Sequence, residues 1–463
     1  NFKKSGISRS SRKSERALLP RALDIVWDVL DLLGAAEDRG IAGETVHLVL
    51  DFSDAFFQLP TNPREQRFAV VRFQGKFILF RRAPQGSRGA PLLWARVCAL
   101  LCRLGVALGD VDLTKLSSYV DDPSMLTYGD TATVHRTFAR IIGSWLALGF
   151  KMAFKKAVHK GLGGVVTWTS ARFAIGRAGV LIQVKKQIVD DVRTQVHELL
   201  GTNIIGIRTL EEFLGRANCI ASLLHVWRPF LGMIWAAIFH SPEKRPAHNC
   251  IWTKQVEVPL KWCRAFLASE SGAMRRYFCL AAYRRKGRRV TIVTDASPSA
   301  FGAFLIIGCV IMEYLHAEVS ELDAQILGCE IGSHKSQQTF EALAILVALR
   351  VWRSRWVTQR TCLRVRSDSV SALSMMLNMN SGGEGSAIIA RELALDTARS
   401  SYVPTVLEHV PGVANTIADV LSRWEENKKQ NADIQLPREL LGCTLRVPPT
   451  RGRDWWQSLD PPV

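Results

Sequence analysis

The sequence has no Cys-x-x-Cys pair and no Cys/His cluster at zinc-ligand spacing, although it carries ten cysteines. This excludes a structural zinc module and points to a reducing, intracellular setting, in a cytoplasmic particle or the nucleus. Cys98 and Cys102, four apart in an apolar helical pattern, read as buried thiols. No apolar run reaches membrane-spanning length and no signal-peptide core opens the chain, so no membrane partner is expected. Integrase, recombinase and protease motifs are missing too, and a start on Asn1 rather than Met reads as a fragment of a longer polyprotein. Acid is the scarcer charge: 42 Asp and Glu stand against 60 Lys and Arg, for a formal charge of +18 and a pI near 9.7. Such a surface suits a partner with a phosphate backbone, the plainer alternative being solubility alone. With 463 residues, 48% of them hydrophobic, the chain is long enough for two to four cored domains and is not a disordered protein.

What is present is a set of acids at the ends of apolar runs. Ser117-Ser118-Tyr119-Val120-Asp121-Asp122 ends a β-prone run on two adjacent carboxylates, and Met125 to Tyr128 reads as the returning strand of a hairpin. Two ionised neighbours repel unless a divalent cation bridges them to a third acid. Asp51 is the best third acid, because Val46-His47-Leu48-Val49-Leu50 is a strand-like run that ends on it. Three carboxylates around two Mg²⁺ are the chemistry of phosphodiester synthesis.

Around these acids the pattern predicts a helix over residues 21–33, a hairpin over 68–80 turning at Gln74-Gly75, a helix from Ala90 to Gly105, and a helical bundle from Lys185 to His240. In that bundle Thr209 and Glu212 are placed to form a capping box. Trp227, Trp235, Trp252 and Trp262 read as core rather than as stacking platforms, and residues 284–289, rich in Arg and Lys, as a basic linker. Val290 to Thr294 reads as a strand ending on Asp295, with Phe301 to Ile307 as its antiparallel partner. Glu341 falls in the first turn of a helix, Asp368 follows a second strand, and Asn415 stands as N-cap of a short helix carrying Asp419. These acids converge only if helices and sheet pack on one another, which calls for a mixed α/β fold. Trp455-Trp456 is either a packing anchor or an interaction stub.

In order, Asp51-Phe52-Ser53-Asp54-Ala55-Phe56-Phe57, Ala83-Pro84-Gln85-Gly86, Tyr119-Val120-Asp121-Asp122 and Leu148-Gly149-Phe150-Lys151 resemble the motif blocks of a reverse transcriptase palm. Thr294-Asp295-Ala296-Ser297, Phe340-Glu341-Ala342, Ser367-Asp368-Ser369 and His409 through Asp419 resemble a retroelement ribonuclease H domain. The blocks span roughly residues 45 to 425, and together they are similar to the polymerases of LTR or DIRS-type retrotransposons.

The resemblance implies an α/β, or α+β, multidomain chain. Shortened fingers and a palm would fill 1–180, a helical thumb or connection 181–289, a ribonuclease H-like domain 290–425 and a tail 426–463. It implies RNA- and DNA-templated DNA synthesis plus hydrolysis of the RNA strand of RNA-DNA hybrids. Mg²⁺, two per site with Mn²⁺ as substitute, would be held by Asp51, Asp121 and Asp122 in one centre and by Asp295, Glu341, Asp368 and Asp419 in the other. His409 would aid product release or proton movement. Phe56 would sit under the sugar of the incoming deoxynucleotide, with Ala55, Gln85 and Lys151 beside the nucleotide. Lys151, Lys155 or Lys156 would protonate the leaving pyrophosphate. Tyr119, Gly86 and Trp168 would meet primer or template, and Arg12 and Lys13 the triphosphate. Partners would be an RNA template, a DNA primer, the hybrid and dNTPs. Pro123, Ser170 in place of a turn glycine, and the short fingers support a second expectation: a decayed copy that binds nucleic acid with nuclease activity only, or none.

Overall fold

The computed structural model describes residues 15, 17–239, 245–247, 249–268, 274–357, 360–399, 406–430 and 435–462. Arg12 and Lys13 lie outside the described residues, as does the side chain of Lys156. The architecture is mixed α/β, with helices and several sheets. The chain divides into two compact units, one of residues 1–185 with 277–280 and one of residues 186–276 with 281–463.

In the first unit a four-stranded antiparallel sheet runs in the order Thr114–Tyr119, Asp122–Gly129, Glu44–Val49, Val158–Lys160. The strand Glu44–Val49 is buried along all but its first residue, as expected of a central strand covered on both faces. The helices Ala90–Ala107 and Thr131–Ala147 put Trp94, Leu101, Phe138, Ile141 and Trp145 into one cluster with Val46, Leu48, Phe52 and Met125. Truncating a fully buried ring such as Trp145 to Ala would cost about 3–5 kcal/mol. Behind them the helix Ala22–Arg39 opens on a reciprocal bond pair between Arg21 and Asp24 and ends at Gly40, whose φ of 61° only glycine adopts freely. A meander of Val165–Trp168, Ala171–Gly176 and Gly179–Val184 forms a second sheet. At Gly179, φ is 153° and an added Cβ would lie 2.0 Å from the Phe278 carbonyl oxygen. The predicted hairpin forms between Val70–Phe73 and Lys76–Leu79, with Gln74 and Gly75 both at positive φ, the conformation a two-residue turn demands.

The second unit contains the helices Lys186–Leu200, Ile207–Leu223, Arg228–Phe239 and Glu257–Leu267. Trp227, Phe230, Trp262 and Phe266 interlock there with ring centroids 5.2–5.5 Å apart for three of the pairs. Of the four tryptophans read as core, Trp227 and Trp262 are buried, Trp235 is half-buried and Trp252 is exposed. The capping box expected at Thr209 does not form: the helix starts at Ile207 with Gly206 as its cap, so Thr209 already lies inside the first turn.

A six-stranded sheet follows, in the order Val406–His409, Thr361–Ser367, Arg288–Ala296, Ala300–Ile307, Val310–Glu318, Thr444–Leu445. The three strands from 288 to 318 are an antiparallel meander, and the remaining three pair parallel to their neighbours. The helix Gln337–Val351 is buried from Phe340 to Leu349, so it reads as apolar all round, as a helix enclosed on every side must.

The C-terminal segment is an anchor rather than a stub. Arg446 bonds Glu313, Arg451 bonds Asp323 at 2.8 Å, and Trp456 is buried. The Gln457 and Ser458 amides donate to Glu392, while Trp262 donates to the Ser458 carbonyl. Arg350 completes the network with bonds to Glu392 and Asp396 and lies 4.2 Å from the Trp455 ring centroid. Removing one partner of such a buried charged network is costly because it strands the other.

One expectation from composition needs correcting. The helix Ala90–Ala107, with a mean hydropathy of 1.5, is long and apolar enough to cross a membrane by length and composition. Its Trp94, Cys98, Leu101 and Cys102 face is nevertheless part of the core described above.

Candidate active sites

In the first unit, strand pairing delivers the acids. The register Val49 to Ser124 continues past the strand end through bonds from the Leu50 amide to the Pro123 carbonyl (3.1 Å) and from the Phe52 amide to the Asp121 carbonyl (2.9 Å). Asp51 therefore lies alongside the tip that carries Asp121 and Asp122. On its other flank the Ala153 amide donates to the Asp51 carbonyl and the Ser53 amide to that of Lys151. Asp51 is buried, and Asp121 and Asp122 are half-buried.

The hairpin turns at Val120-Asp121, where Val120 has φ of 58°. A β-branched residue there is strained and persists only where its surroundings hold it. Trp94, fully buried, donates its indole N–H to the Val120 carbonyl at 2.7 Å, and Ser118 Oγ donates to the same oxygen at 3.0 Å. Sequence reasoning missed Trp94, whose only signal was an aromatic one turn into the helix after Gln85-Gly86. Pro123 faces Ser118 across the hairpin and lends its carbonyl to Leu50. Its carbonyl and its ring nitrogen both face Leu50, so the hairpin pairing itself loses no donor.

The other expected residues are spread around this tip. Ala55 is buried and Phe56 half-buried against the core, both in the turn Ala55–Gln58. Gln85 and Gly86 are exposed ahead of the helix Ala90–Ala107, with Gly86 at φ of 88°. Lys151, Lys155 and Tyr119 are exposed. Trp168 differs from expectation: it is 1% exposed and donates to the Asp122 carbonyl at 3.1 Å. Its place is beneath the hairpin, out of reach of a primer or template.

In the second unit the acids are gathered closely. Asp295 lies next to last in the central strand, within its buried end, Glu341 reaches it from the enclosed helix, and Asp368 follows the parallel strand Thr361–Ser367. One ligand atom from each of these three lies within 4.8 Å of the others, and among the described residues this is the only such group. Asp51, Asp121 and Asp122, though brought together by their backbones, are not gathered to that degree.

Burial pushes Glu341 up to about 9, and the charges of Asp295 and Asp368 add to it. Burial likewise raises Asp295 to about 7; a hydrogen bond from Ser422 opposes the shift, and Asp368 and Asp419 reinforce it. Glu341 Oε2 and Asp368 Oδ1 are buried without a hydrogen-bond partner. Like charges, raised proton affinity and orphaned oxygens together fit a divalent cation site.

Asp419 stands at one remove, half-buried and bonded to Arg423 at 2.9 Å. His409, exposed at the end of its strand, pairs in register with Ser367, next to Asp368. The loop after it passes close to the same acid, since a Cβ on Gly412 would lie 3.3 Å from Asp368 Oδ2. Asn415 occupies the N-cap position but makes no side-chain cap. Its Nδ2 instead donates to the Thr294 carbonyl (3.1 Å) and approaches Asp295 Oδ1 (3.4 Å). Glu341 is the fifth residue of its helix, one turn deeper than expected.

No protein-family model matches the chain, and no curated protein matches it. Solved structures do. The foamy viral protease-reverse transcriptase dRH in complex with double-stranded DNA shares 14% identity, with 88% of this chain and 62% of that chain covered and a TM-score of 0.43. The foamy viral protease-reverse transcriptase in complex with RNA/DNA hybrid shares 15%, covering 87% and 47%, at 0.40. The same protein in complex with double-stranded DNA shares 15%, covering 87% and 73%, at 0.42.

Proposed function

We propose that this chain carries two phosphoryl-transfer centres: a DNA polymerase centre copying RNA or DNA at Asp51, Asp121 and Asp122, and a nuclease centre cutting the RNA strand of a hybrid at Asp295, Glu341, Asp368 and Asp419. The observation that carries the reading is the gathered trio Asp295, Glu341 and Asp368, together with a second set of acids at the tip of a separate sheet. Divalent cations, Mg²⁺ with Mn²⁺ as substitute, would supply charge neutralisation and Lewis acidity at the reacting phosphate when bound by these carboxylates.

The chain's own groups supply the rest. Asp121 and Asp122 project from a hairpin whose turn is braced by Trp94, and Asp51 meets them from the neighbouring strand. Phe56, half-buried in the turn that follows Asp51, crowds a 2′-hydroxyl and so favours deoxynucleotides. Gln85, Gly86 and Tyr119, with Ala55 beneath, border the nucleotide and primer terminus, and Lys151, Lys155 or Lys156 delivers a proton to the departing pyrophosphate. In the other centre His409, paired in register with Ser367, carries protons or loosens product, and hybrid is chosen through its 2′-hydroxyls rather than its sequence.

Residues 66–109 hold eight Lys and Arg and no Asp or Glu; Arg67, Arg72, Lys76, Arg81, Arg82 and Arg88 are exposed. That basic stretch gives template phosphates a salt-dependent hold. The reading assigns fingers and palm to 1–180, thumb and connection to 181–289 and the nuclease to 290–425. Its setting is an intracellular particle or the nucleus, and the element is of retrotransposon type.

An RNA template and a DNA primer carrying different labels, annealed and incubated with Mg²⁺ and dNTPs, test both centres at once. Primer extension with RNA shortening is expected. Shortening without extension would leave a nuclease with a silent polymerase, and binding of hybrid with neither reaction would mark a decayed copy.

A further inference from the structure

We propose that Ser422 is a positioning residue that fixes Asp295 for cation binding, and that Gly302 is the position that lets it do so; this rests on the nuclease-centre reading. Gly302 stands directly opposite Asp295 in the antiparallel pair. A Cβ there would lie 2.3 Å from Leu421 Cβ and 2.6 Å from the Ser422 amide nitrogen, closer than real atoms pack. The short helix Thr416–Ser422 can therefore settle onto the sheet only because this position lacks a side chain.

At that point of closest approach Ser422 is fully buried and its Oγ lies 2.6 Å from Asp295 Oδ2. The same oxygen lies 2.9 Å from the Asp419 carbonyl. A hydroxyl has one hydrogen to give, and of its two acceptors the Asp295 carboxylate is the nearer and the stronger, so the hydrogen goes to Asp295. Asn415 Nδ2 approaches the other oxygen, Oδ1. Both donors flank the helix that carries Asp419. One rigid element thus orients Asp295 and presents Asp419, so the two acids are set relative to each other by the helix rather than by separate loops. Outer groups that orient a ligand typically change metal affinity 10–100-fold when removed.

The test is calorimetric titration of the full chain with Mn²⁺, without nucleic acid, comparing the parent with Asp295→Asn, Ser422→Ala, Ser422→Cys and Gly302→Ala, with a melting curve for each. Asp295→Asn should abolish the binding event. Ser422→Ala should weaken it about ten-fold at a melting temperature close to the parent's. Ser422→Cys, which fills the space with a poor donor, should weaken it comparably and serves if the alanine variant fails to fold. Gly302→Ala, which lifts the helix, should weaken it at least as much. Loss of binding in Asp295→Asn with parent-like affinity in the folded Ser422 variants would overturn the positioning role alone. A parent whose Mn²⁺ binding is indifferent to Asp295→Asn would overturn the cation site and the positioning role with it.

Discussion

The two acidic centres are built on opposite plans. Asp295, Glu341 and Asp368 come from a strand, an enclosed helix and a second strand end and are held in the second unit with ligand atoms within 4.8 Å, and burial makes Asp295 and Glu341 hold their protons tightly. Asp51, Asp121 and Asp122 share a strand edge but are not drawn together to that degree, and the tip that carries two of them is a strained turn. The difference suits the chemistry proposed for each. A centre that cuts a bound backbone can be assembled in advance, whereas one that takes a triphosphate at each cycle can let the phosphates complete the coordination.

The sharpest way to break that contrast is to titrate metal without nucleotide. Mn²⁺ should bind the second centre alone: Asp368→Asn should weaken it at least ~100-fold, counting a lost ligand as at least as costly as a lost group that orients one, and Asp121→Asn should leave it unchanged. Equal sensitivity to both variants, measured by calorimetry, would erase the difference.

Next in size is the proton linkage of Glu341. A carboxyl whose folded pKa of about 9 exceeds its unfolded value of about 4.3 binds more protons folded than unfolded. It therefore subtracts stability as pH rises through that window. Glu341→Gln should raise the melting temperature of the metal-free chain, more at pH 8 than at pH 5, and Mn²⁺ binding by the parent should release protons, visible as a dependence of calorimetric heat on the buffer.

The first unit should show the opposite slope at low pH. His47 lies on the central strand, fully buried, with Nε2 2.8 Å from Ser124 Oγ, and burial lowers its pKa to about 3. The unfolded chain takes up this proton near pH 6.5 while the folded one does not. Stability is lost as pH falls below 6.5, by about 1.4 kcal/mol per pH unit. Denaturant melts of His47→Gln should show a flatter acid limb.

The smallest effect sharpens the account of the turn. Trp94→Phe keeps the ring but removes the N–H that holds the Val120 carbonyl. A hydrogen bond of about 1 kcal/mol corresponds to roughly a five-fold loss of primer extension, with RNA shortening untouched.

How much of this could be read from the chain follows the range of the interactions. Strands that end on acids announce themselves locally, so Asp51, Asp121, Asp122 and Asp295 could be placed from apolar runs alone, and Gln74-Gly75 and Gly86 from turn chemistry. Trp168, expected to meet primer or template, is buried under the hairpin, because exposure is a tertiary property. Thr209 fits a cap motif, but the backbone at Gly206 starts the helix first. Asn415 was located correctly and given the wrong bond, since its partner, Asp295, is 120 residues away. The C-terminal segment carries no periodic pattern at all. Its order comes from Arg446, Arg451 and Ser458 meeting Glu313, Asp323 and Glu392, pairings that no local signal announces.

The most direct measurement is the dual-label hybrid assay run on Asp121→Asn and Asp368→Asn side by side. Two independent centres require that Asp121→Asn shorten RNA without extending primer and that Asp368→Asn extend primer without shortening RNA. If either substitution silences both reactions in a folded chain, the two-centre account is wrong.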